Sequence, residues 1–311
     1  MRKKTKLVAV VLCLSVFGCM ALGSGSSDSS EKKDIVTSKD AGTTGGTTES
    51  KDNSSVSDNE ADVAEVTIEE QVLFEQEGIK VTAQEYVADS IWGDGIKLLL
   101  ENNSDKTVTV GCNALIVNNY MISDLFVSEI VAGKKDNEVM YLSSSELKAA
   151  GIESVGQIEA YFHVYESDSY DNIFDTDCIT IKTSEYANMD TTPADAGTEL
   201  YNADGIRIVG KTVDENSFWG TAILLYCENN SGKNVGINVD EMSINGFMME
   251  PLFSTTIYDG KMSIDDITVF SSDLEENGIE SIEDVELKFH IYEAETYDTI
   301  ADSEPITFSA K

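Results

Sequence analysis

Histidine is nearly absent from this sequence, since its 311 residues include only His163 and His290. A zinc-type metal site needs several histidine or cysteine ligands close together. Histidine-dependent hydrolysis needs an oriented nucleophile and acid beside the imidazole, and the sequence contains no Gly-x-Ser-x-Gly element. The scarcity of histidine therefore argues against a multi-histidine zinc site and against histidine-dependent hydrolysis.

Basic residues are also few. The chain has 21 Lys and Arg against 57 Asp and Glu, which gives a formal net charge of -36. Proteins that bind nucleic acid place clustered Lys and Arg against the phosphates. The composition therefore excludes nucleic acid as a partner, and the same charge would repel anionic lipids and anionic wall polymers.

A long internal repeat dominates the rest of the chain. From about residue 72, sliding the sequence by 127 positions superimposes one half on the other without an insertion or deletion. Phe162-His163-Val164-Tyr165-Glu166, for example, falls on Phe289-His290-Ile291-Tyr292-Glu293. A repeat of this length is a complete folding unit. We therefore predict one domain over 64–184 and a second over 198–311, joined by a polar linker over 185–197.

The cysteines of the repeat region have no cysteine counterparts. Cys112 aligns with Val239, Cys178 with Pro305 and Cys227 with Leu100. No disulfide is therefore built into the shared fold, and we expect Cys112 and Cys227 to be small apolar core residues. A disulfide between Cys112 and Cys178 within the first copy remains an alternative.

The N-terminus has the pattern of an export signal. Arg2, Lys3, Lys4 and Lys6 precede an apolar run over 7–17 that is short for a membrane span. Val16-Phe17-Gly18-Cys19 resembles a bacterial lipobox, which implies a signal peptide over 1–18 and a lipid anchor on Cys19. We therefore expect the mature chain at the outer face of the cytoplasmic membrane. A cleaved signal without lipid and an uncleaved anchor are the alternatives.

The segment over 19–63 is rich in Gly, Ser, Thr and Asp and almost lacks large apolar residues. Such a composition cannot bury enough surface to fold. We therefore predict a disordered tether between the anchor and the first domain.

The sequence of each copy predicts a series of short strands. Residues 158–165 alternate apolar and polar side chains, as expected of a half-buried strand. Asn245-Gly246 is a hairpin signal, matched by Asn118-Asn119 in the first copy. Further strands are predicted over 78–86, 96–102, 107–117, 120–126, 138–142 and 178–183.

One helical turn is predicted in each copy. Ser144-Ser145 and Ser271-Ser272 offer capping hydroxyls, and Gly151 and Gly278 supply the stop. Together with about seven short strands in each copy, this pattern predicts an all-β fold of two tandem β-sandwich domains.

The sequence elements carry a family resemblance. The Glu-Asn-Asn-Ser, Trp-Gly and Phe-His-Ile-Tyr elements behind a lipoprotein signal resemble the duplicated immunoglobulin-like domains of bacterial surface lipoproteins, a group similar in outline to the immunoprotective extracellular family. The resemblance covers nearly all of residues 70–311. It implies immunoglobulin-like sandwiches outside the cytoplasm, and it brings no activity, cofactor or catalytic residue.

Candidate binding residues are the aromatic side chains of the loops. Trp92 and Trp219 precede a strand in each copy, where an indole could either stack on a sugar ring or pack in the core. Tyr170 and Tyr297 lie in acidic loops over 168–177 and 295–304. The clustered carboxylates could bind calcium, although they lack the spacing of an EF-hand loop, and we predict no metal site.

Three functional hypotheses follow. The leading one is a non-enzymatic, lipid-anchored protein whose two domains bind a wall component, a glycan or another protein. A secreted hydrolase would require the acids of 168–177 to converge in a cleft, and a spacer of the envelope would require no exposed aromatic surface. The copies differ in Lys134-Lys135-Asp136-Asn137 against Lys261-Met262-Ser263-Ile264, so the second copy has either a different partner or none.

Overall fold

The computed structural model describes residues 32–37, 65–88, 93–123, 125–217 and 220–310. In these residues the chain is an all-β structure with two short α-helices, as predicted. The predicted signal peptide, Cys19, Trp92 and Trp219 lie outside the described residues.

The first domain is a sandwich of two sheets. A sheet of order β2-β3-β4-β8 packs across an apolar core against a second sheet in which β9 pairs with β5, β10 and β11. The elements in chain order, including a strand that precedes both repeats, are β1 (Lys33–Thr37), β2 (Gln71–Gln76), β3 (Ile79–Val87), β4 (Gly95–Asn102), β5 (Val108–Val117), β6 (Tyr120–Ile122), β7 (Val127–Ile130), β8 (Lys135–Tyr141), α1 (Ser144–Ala149), β9 (Gln157–Glu166), β10 (Asn172–Asp175) and β11 (Ile179–Lys182).

The second domain repeats this arrangement after a 3-10 turn over Tyr186–Asn188. Here β14 pairs with β13 and β18 in one sheet, while β19 pairs with β15, β20 and β21 in the other. The elements are β12 (Thr198–Ala203), β13 (Ile206–Ser217), β14 (Gly220–Asn229), β15 (Val235–Ile244), β16 (Phe247–Met248), β17 (Ser254–Ile257), β18 (Lys261–Phe270), α2 (Ser271–Glu276), β19 (Asp284–Glu293), β20 (Thr299–Asp302) and β21 (Ile306–Ala310).

The predicted hairpin turns are confirmed by the backbone. Asn245 and Gly246 have φ angles of 49° and 82°, and Asn118 and Asn119 have φ angles of 48° and 71°. Two consecutive positive φ angles are the signature of the type I′ turn, which matches the twist of the strands on either side.

The helix ends follow the sequence only in part. Gly151 and Gly278 have φ angles of 72° and 65° and end the helices as predicted. The predicted hydroxyl caps are wrong, because the residues at the N-caps are Ser143 and Phe270 and neither makes a side-chain capping bond.

The Glu-Asn-Asn-Ser element of each copy has a structural role. The side-chain amide of Asn102 donates to the carbonyls of Ile130 and Lys106, and that of Asn229 donates to Ile257 and Lys233. Both asparagines are fully buried. The element therefore satisfies backbone carbonyls where two loops meet, and its recurrence does not mark a binding site.

None of the three cysteines in the part of the chain described by the structure forms a disulfide. Cys112 and Cys227 are buried, as predicted, while Cys178 is exposed and donates to the carboxylate of Glu159 at 3.6 Å. The bridge between Cys112 and Cys178 is not formed.

Part of the expected tether departs from the prediction. Residues Lys33–Thr37 form β1, which pairs antiparallel with both β13 and β21 of the second domain. Ile35 is buried in the core of that domain. Such a short β-branched run cannot fold alone, but it completes sheets that the second domain already provides. The second domain therefore includes residues 33–37 as well as 198–310.

The two domains share a packed junction. At its edge β6 of the first domain pairs in parallel with β18 of the second. The buried junction cluster combines residues of both copies: Tyr120, Ala150, Val209, Tyr226 and Ile264. The fold therefore joins the two sandwiches through apolar contacts and a shared strand pairing.

Polar contacts flank this cluster. Lys261 Nζ lies 2.5 Å from Glu159 Oε2, and the rings of Tyr258 and Tyr161 meet edge to face with centroids 5.0 Å apart. The junction therefore fixes the loop before β18 against the outer face of β9.

The junction accounts for the most divergent segment of the two copies. Met262 and Ile264 pack in the junction, whereas the matching residues of the first copy, Lys135 and Asn137, are exposed on β8. The segment over residues 261–264 of the second domain therefore contacts the first domain. Charged residues on β8 keep the equivalent strand edge of the first domain in solvent.

A buried carboxylate at the junction makes stability depend on pH. Burial raises the pKa of Asp266 to about 6, and Asp265 and Glu146 add repulsion. A raised pKa means that the folded state binds the proton more tightly. Stability should therefore fall as pH rises from about 4 to about 6, by roughly 3 kcal/mol at most.

Asp266→Asn should remove this dependence. We expect it to stabilise the protein by about 1–3 kcal/mol at pH ~7.5 and to have little effect near pH ~4. Urea unfolding at the two pH values measures the difference, with exposed Asp240→Asn as the control. An equal gain at both pH values would contradict a titrating Asp266.

Candidate binding surface

Three aromatic rings form a stack on the outer face of the first domain. His163 and Tyr165 project from β9, with ring centroids 5.4 Å apart and planes at 11°. Tyr170 of the following loop lies against Tyr165, with centroids 6.0 Å apart and planes at 24°. We call this group the first aromatic stack.

The second domain repeats the group residue for residue. His290 and Tyr292 lie 5.6 Å apart at 24°, and Tyr292 and Tyr297 lie 5.9 Å apart at 18°. This second aromatic stack shows that the repeat preserves the relative placement of three side chains as well as their identity.

The alternation of the strand creates each stack. Phe162 and Val164 point into the core, so His163 and Tyr165 must point outward on the same face. Glycines of the neighbouring strands make room for these rings, because a Cβ at Gly111 would collide with His163 and one at Gly236 would collide with Tyr292. The rings therefore lie close against the backbone of the sheet.

The outer tyrosine of each stack adopts an unusual backbone conformation. Tyr170 and Tyr297 have φ angles of 59° and 61°, in the left-handed region where glycine or asparagine is usual. The loop is closed by bonds from Tyr170 N to Glu166 O at 2.8 Å and from Glu166 N to Asp171 O at 3.0 Å. A tyrosine here costs of order 1 kcal/mol or more, and strain of this kind is concentrated at functional positions.

Exposure distinguishes the outer tyrosines from the rest of each stack. Tyr170 is 78% exposed and Tyr297 is 59% exposed, while the other ring members are partly buried. The ring face of each outer tyrosine that does not meet the stack is therefore available to a flat apolar ligand, such as one face of a sugar ring.

The two histidines differ in their electrostatic environment. Burial lowers the pKa of His163, so its ring is neutral at neutral pH. His290 Nδ1 instead lies 2.6 Å from Asp302 Oδ1. The stacks are thus similar in shape but differ in the contacts of their histidines, because Nδ1 of His163 has no hydrogen-bond partner among the described residues.

The acidic loop of the first copy does not form a cleft. Asp168, Asp171, Asp175 and Asp177 are all exposed. Among the described residues, no group of three or more His, Cys, Asp or Glu side chains could hold a metal ion. This arrangement lends no support to the calcium and hydrolase alternatives.

The structure adds residues to the predicted candidates. Tyr170 and Tyr297 belong to the stacks, whereas Trp92 and Trp219 are outside the described residues. The alternation of residues 158–165 puts His163 on the polar face of its strand, but the sequence analysis did not identify the stacking partners Tyr165 and Tyr292. The same alternation put these tyrosines on the histidine face, so the signal was present.

Comparisons with known sequences and structures show no family for this chain. No family model matches the chain, and no curated protein sequence is detectably similar to it. One similar solved structure is a Salmonella enterica SafA pilin in complex with the SafB chaperone, with TM-score 0.24 and 10% identity over 76% of this chain and 98% of that chain. Another is the YadV chaperone, with TM-score 0.22 and 13% identity over 73% and 98% of the two chains.

A third similar structure is a Porphyromonas gingivalis W83 protein of unknown function. It has TM-score 0.17 and 9% identity over 70% of this chain and 84% of that chain. Scores and identities this low carry no argument about function. Separately, no helix in the described residues is long and apolar enough to span a membrane.

Proposed function

We propose that this protein is a non-enzymatic surface lipoprotein, anchored through Cys19, whose two immunoglobulin-like domains form a bivalent binding module. The observation that carries the proposal is the pair of matching aromatic stacks, each ending in an exposed, strained tyrosine. An envelope spacer would have no use for such surfaces. The export signal and Cys19 supply the location.

A neutral glycan of the cell wall is the ligand class that fits the stacks best. Sugar rings present a flat apolar face to aromatic rings, as the open faces of Tyr170 and Tyr297 require. The net charge of -36 repels anionic polymers, which favours uncharged chains. A polymer with repeated units could occupy both stacks, so two weak sites would gain avidity.

The proposal is tested by a glycan and cell-wall binding screen on a soluble chain over residues 20–311. A fragment that begins at residue 64 would lack β1 and is therefore unsuitable. Binding to a neutral glycan that requires both outer tyrosines would support the proposal. Absence of binding to every glycan and wall preparation by the folded wild type would refute the glycan assignment.

A protein partner is a second candidate, and the tip of the second domain favours it. Phe247 and Met248 of β16 are 47% and 67% exposed, whereas their counterparts Tyr120 and Met121 pack against the second domain. The same hairpin that docks on a protein surface in the first copy is therefore uncovered in the second.

A variant of this tip separates the two candidates. We expect Phe247→Ser combined with Met248→Ser to abolish binding to a protein ligand and to leave glycan binding unchanged, because the tip and the stacks are distinct groups of residues. Titration of each identified ligand against wild type and variant measures this. Retained protein binding would exclude the tip as its site.

A further inference from the structure

The first domain completes its sandwich with the segment just ahead of β2. Ile68 forms a bridge with Thr183, and Ser184 N donates to Thr67 O at 2.8 Å. The chain then continues directly into β2. This position beside the last strand is therefore filled by local sequence.

The second domain cannot fill the same position with its own segment. The residues that match Val66-Thr67-Ile68 are Pro193-Ala194-Asp195. Ala194 N donates to the Tyr120 hydroxyl at 2.7 Å, and Asp195 pairs with Arg207 at 2.8 Å. The local segment is thus diverted to the domain junction, and it lacks the apolar side chain that the position needs.

Strand β1 occupies that position in the second domain. Ile35 pairs with Ala310, which lies 127 residues after Thr183, so Ile35 takes the place that Ile68 has in the first domain. Ile35 is 4% exposed. The second copy has therefore kept an acceptor site for a strand that comes from elsewhere in the sequence.

The acceptor site is shaped for the isoleucine. A Cβ on Gly210 would lie 2.9 Å from Ile35 Cδ1 and 3.1 Å from its Cγ2. The matching residue of the first copy is Ala83. The missing methyl group of Gly210 leaves space for the side chain of β1.

Polar contacts fix the direction and register of the strand. Thr198 Oγ1 donates to the carbonyl of Ile35 at 2.6 Å. Lys33 Nζ lies 3.0 Å from Glu215 Oε1 and 2.8 Å from Ser281 Oγ, and Lys32 lies 3.7 Å from Asp214. Lys32 and Lys33 therefore meet acidic side chains at the groove between β13 and β21.

The contacts made by the groove between β13 and β21 do not determine which chain supplies the strand. Residues 38–64 and the whole first domain separate β1 from the second domain in sequence. A strand from another copy would make the same contacts as the chain's own strand. Exchange of identical elements between copies therefore costs little.

We propose that the groove between β13 and β21 is a strand-accepting site that takes Lys33–Thr37 of a second copy, so that neighbouring copies are linked by strand exchange. The strand of its own chain fills the groove in dilute solution. Strands of neighbours compete when the local concentration of copies exceeds the effective concentration of the tethered strand.

Cysteine trapping tests the exchange in a soluble chain that contains β1 and both domains. Val36 and Ser309 are directly opposite in the antiparallel pair, a spacing that permits a disulfide. A chain over 20–311 with Val36→Cys is mixed at high concentration with one carrying Ser309→Cys, both with exposed Cys178→Ser. We expect a disulfide-linked heterodimer on a non-reducing gel that increases with protein concentration.

The matched control places the second cysteine in the first domain. Lys182 corresponds to Ser309 under the shift of 127 residues and lies where the local segment already fills the position. We expect at least tenfold less heterodimer with Lys182→Cys. A chain with both Val36→Cys and Ser309→Cys should close its own disulfide, which verifies the register.

Two results would overturn the proposal. Closure in the double variant without heterodimer above the Lys182→Cys control would show that β1 serves only its own chain. Failure of the double variant to close would show that β1 does not take this register.

Discussion

Ile35→Ala is expected to destabilise the second domain by about 2–5 kcal/mol and to leave the first domain folded. Ile35 lies more than 160 residues away from the domain it completes, pairing with Ala310 and packing in the second core. Removing its side chain leaves a cavity beside Gly210 that the rigid sheets cannot close. A change in a segment predicted to be disordered would thus act as a core mutation.

Hydrogen exchange measured domain by domain is the appropriate experiment. We expect faster exchange in β13 and β21, which pair with β1, and unchanged protection in β3 and β9 of the first domain. Asp34→Ala is the control, because Asp34 lies in the same strand but is exposed. Unchanged protection of β13 and β21 in Ile35→Ala would contradict the assignment of β1 to the second domain.

Replacing both outer tyrosines with asparagine should abolish glycan binding without loss of stability. Asparagine tolerates the left-handed conformation better than tyrosine, so Tyr170→Asn and Tyr297→Asn should each leave the free energy of unfolding unchanged or raise it by up to about 1 kcal/mol. The ring that stacks on the ligand is lost. A fall in binding therefore cannot be attributed to unfolding.

The size of the effect reports whether both domains bind. Losing one aromatic contact should weaken binding about tenfold or more. If the stacks engage one polymer together, either single variant also loses the avidity of linkage and the double variant does not bind. Isothermal titration with the ligand found in the screen measures this, and Tyr141→Asn, an exposed tyrosine outside the stacks, is the control.

Two outcomes would contradict the assignment of the two aromatic stacks as binding sites. Wild-type affinity in the folded double variant would place the site elsewhere on the surface. Equal affinities of one single variant and the wild type would show that only one domain binds, which the different surroundings of His163 and His290 would then help to explain.

Sequence periodicity predicted most of the strand framework. The alternation over 158–165 fixed the inward face of β9, and Asn245-Gly246 fixed a turn, because both patterns depend on the local geometry of the backbone. The predicted hydroxyl caps were wrong, because the N-cap residues are Ser143 and Phe270 and neither makes a side-chain capping bond. Local chemistry therefore predicted elements better than it predicted their ends.

The candidate site could be predicted from the sequence only in part. Tyr170 and Tyr297 were identified from their place in the acidic loops, but the stacks also need Tyr165 and Tyr292 and the glycines across the sheet. Such contacts depend on the register of neighbouring strands, which no local pattern reveals.

By itself the sequence determined that this protein is a duplication of one all-β domain, since a shift of 127 residues aligns turns, core positions and aromatic residues. It also determined an acidic surface unsuited to nucleic acid. Only the tertiary structure decided that Lys261-Met262-Ser263-Ile264 joins the domains and that Ile35 completes the second core. Both depend on contacts between residues far apart in sequence, whose pairing is selected by the free energy of burying complementary surfaces and not by any local preference.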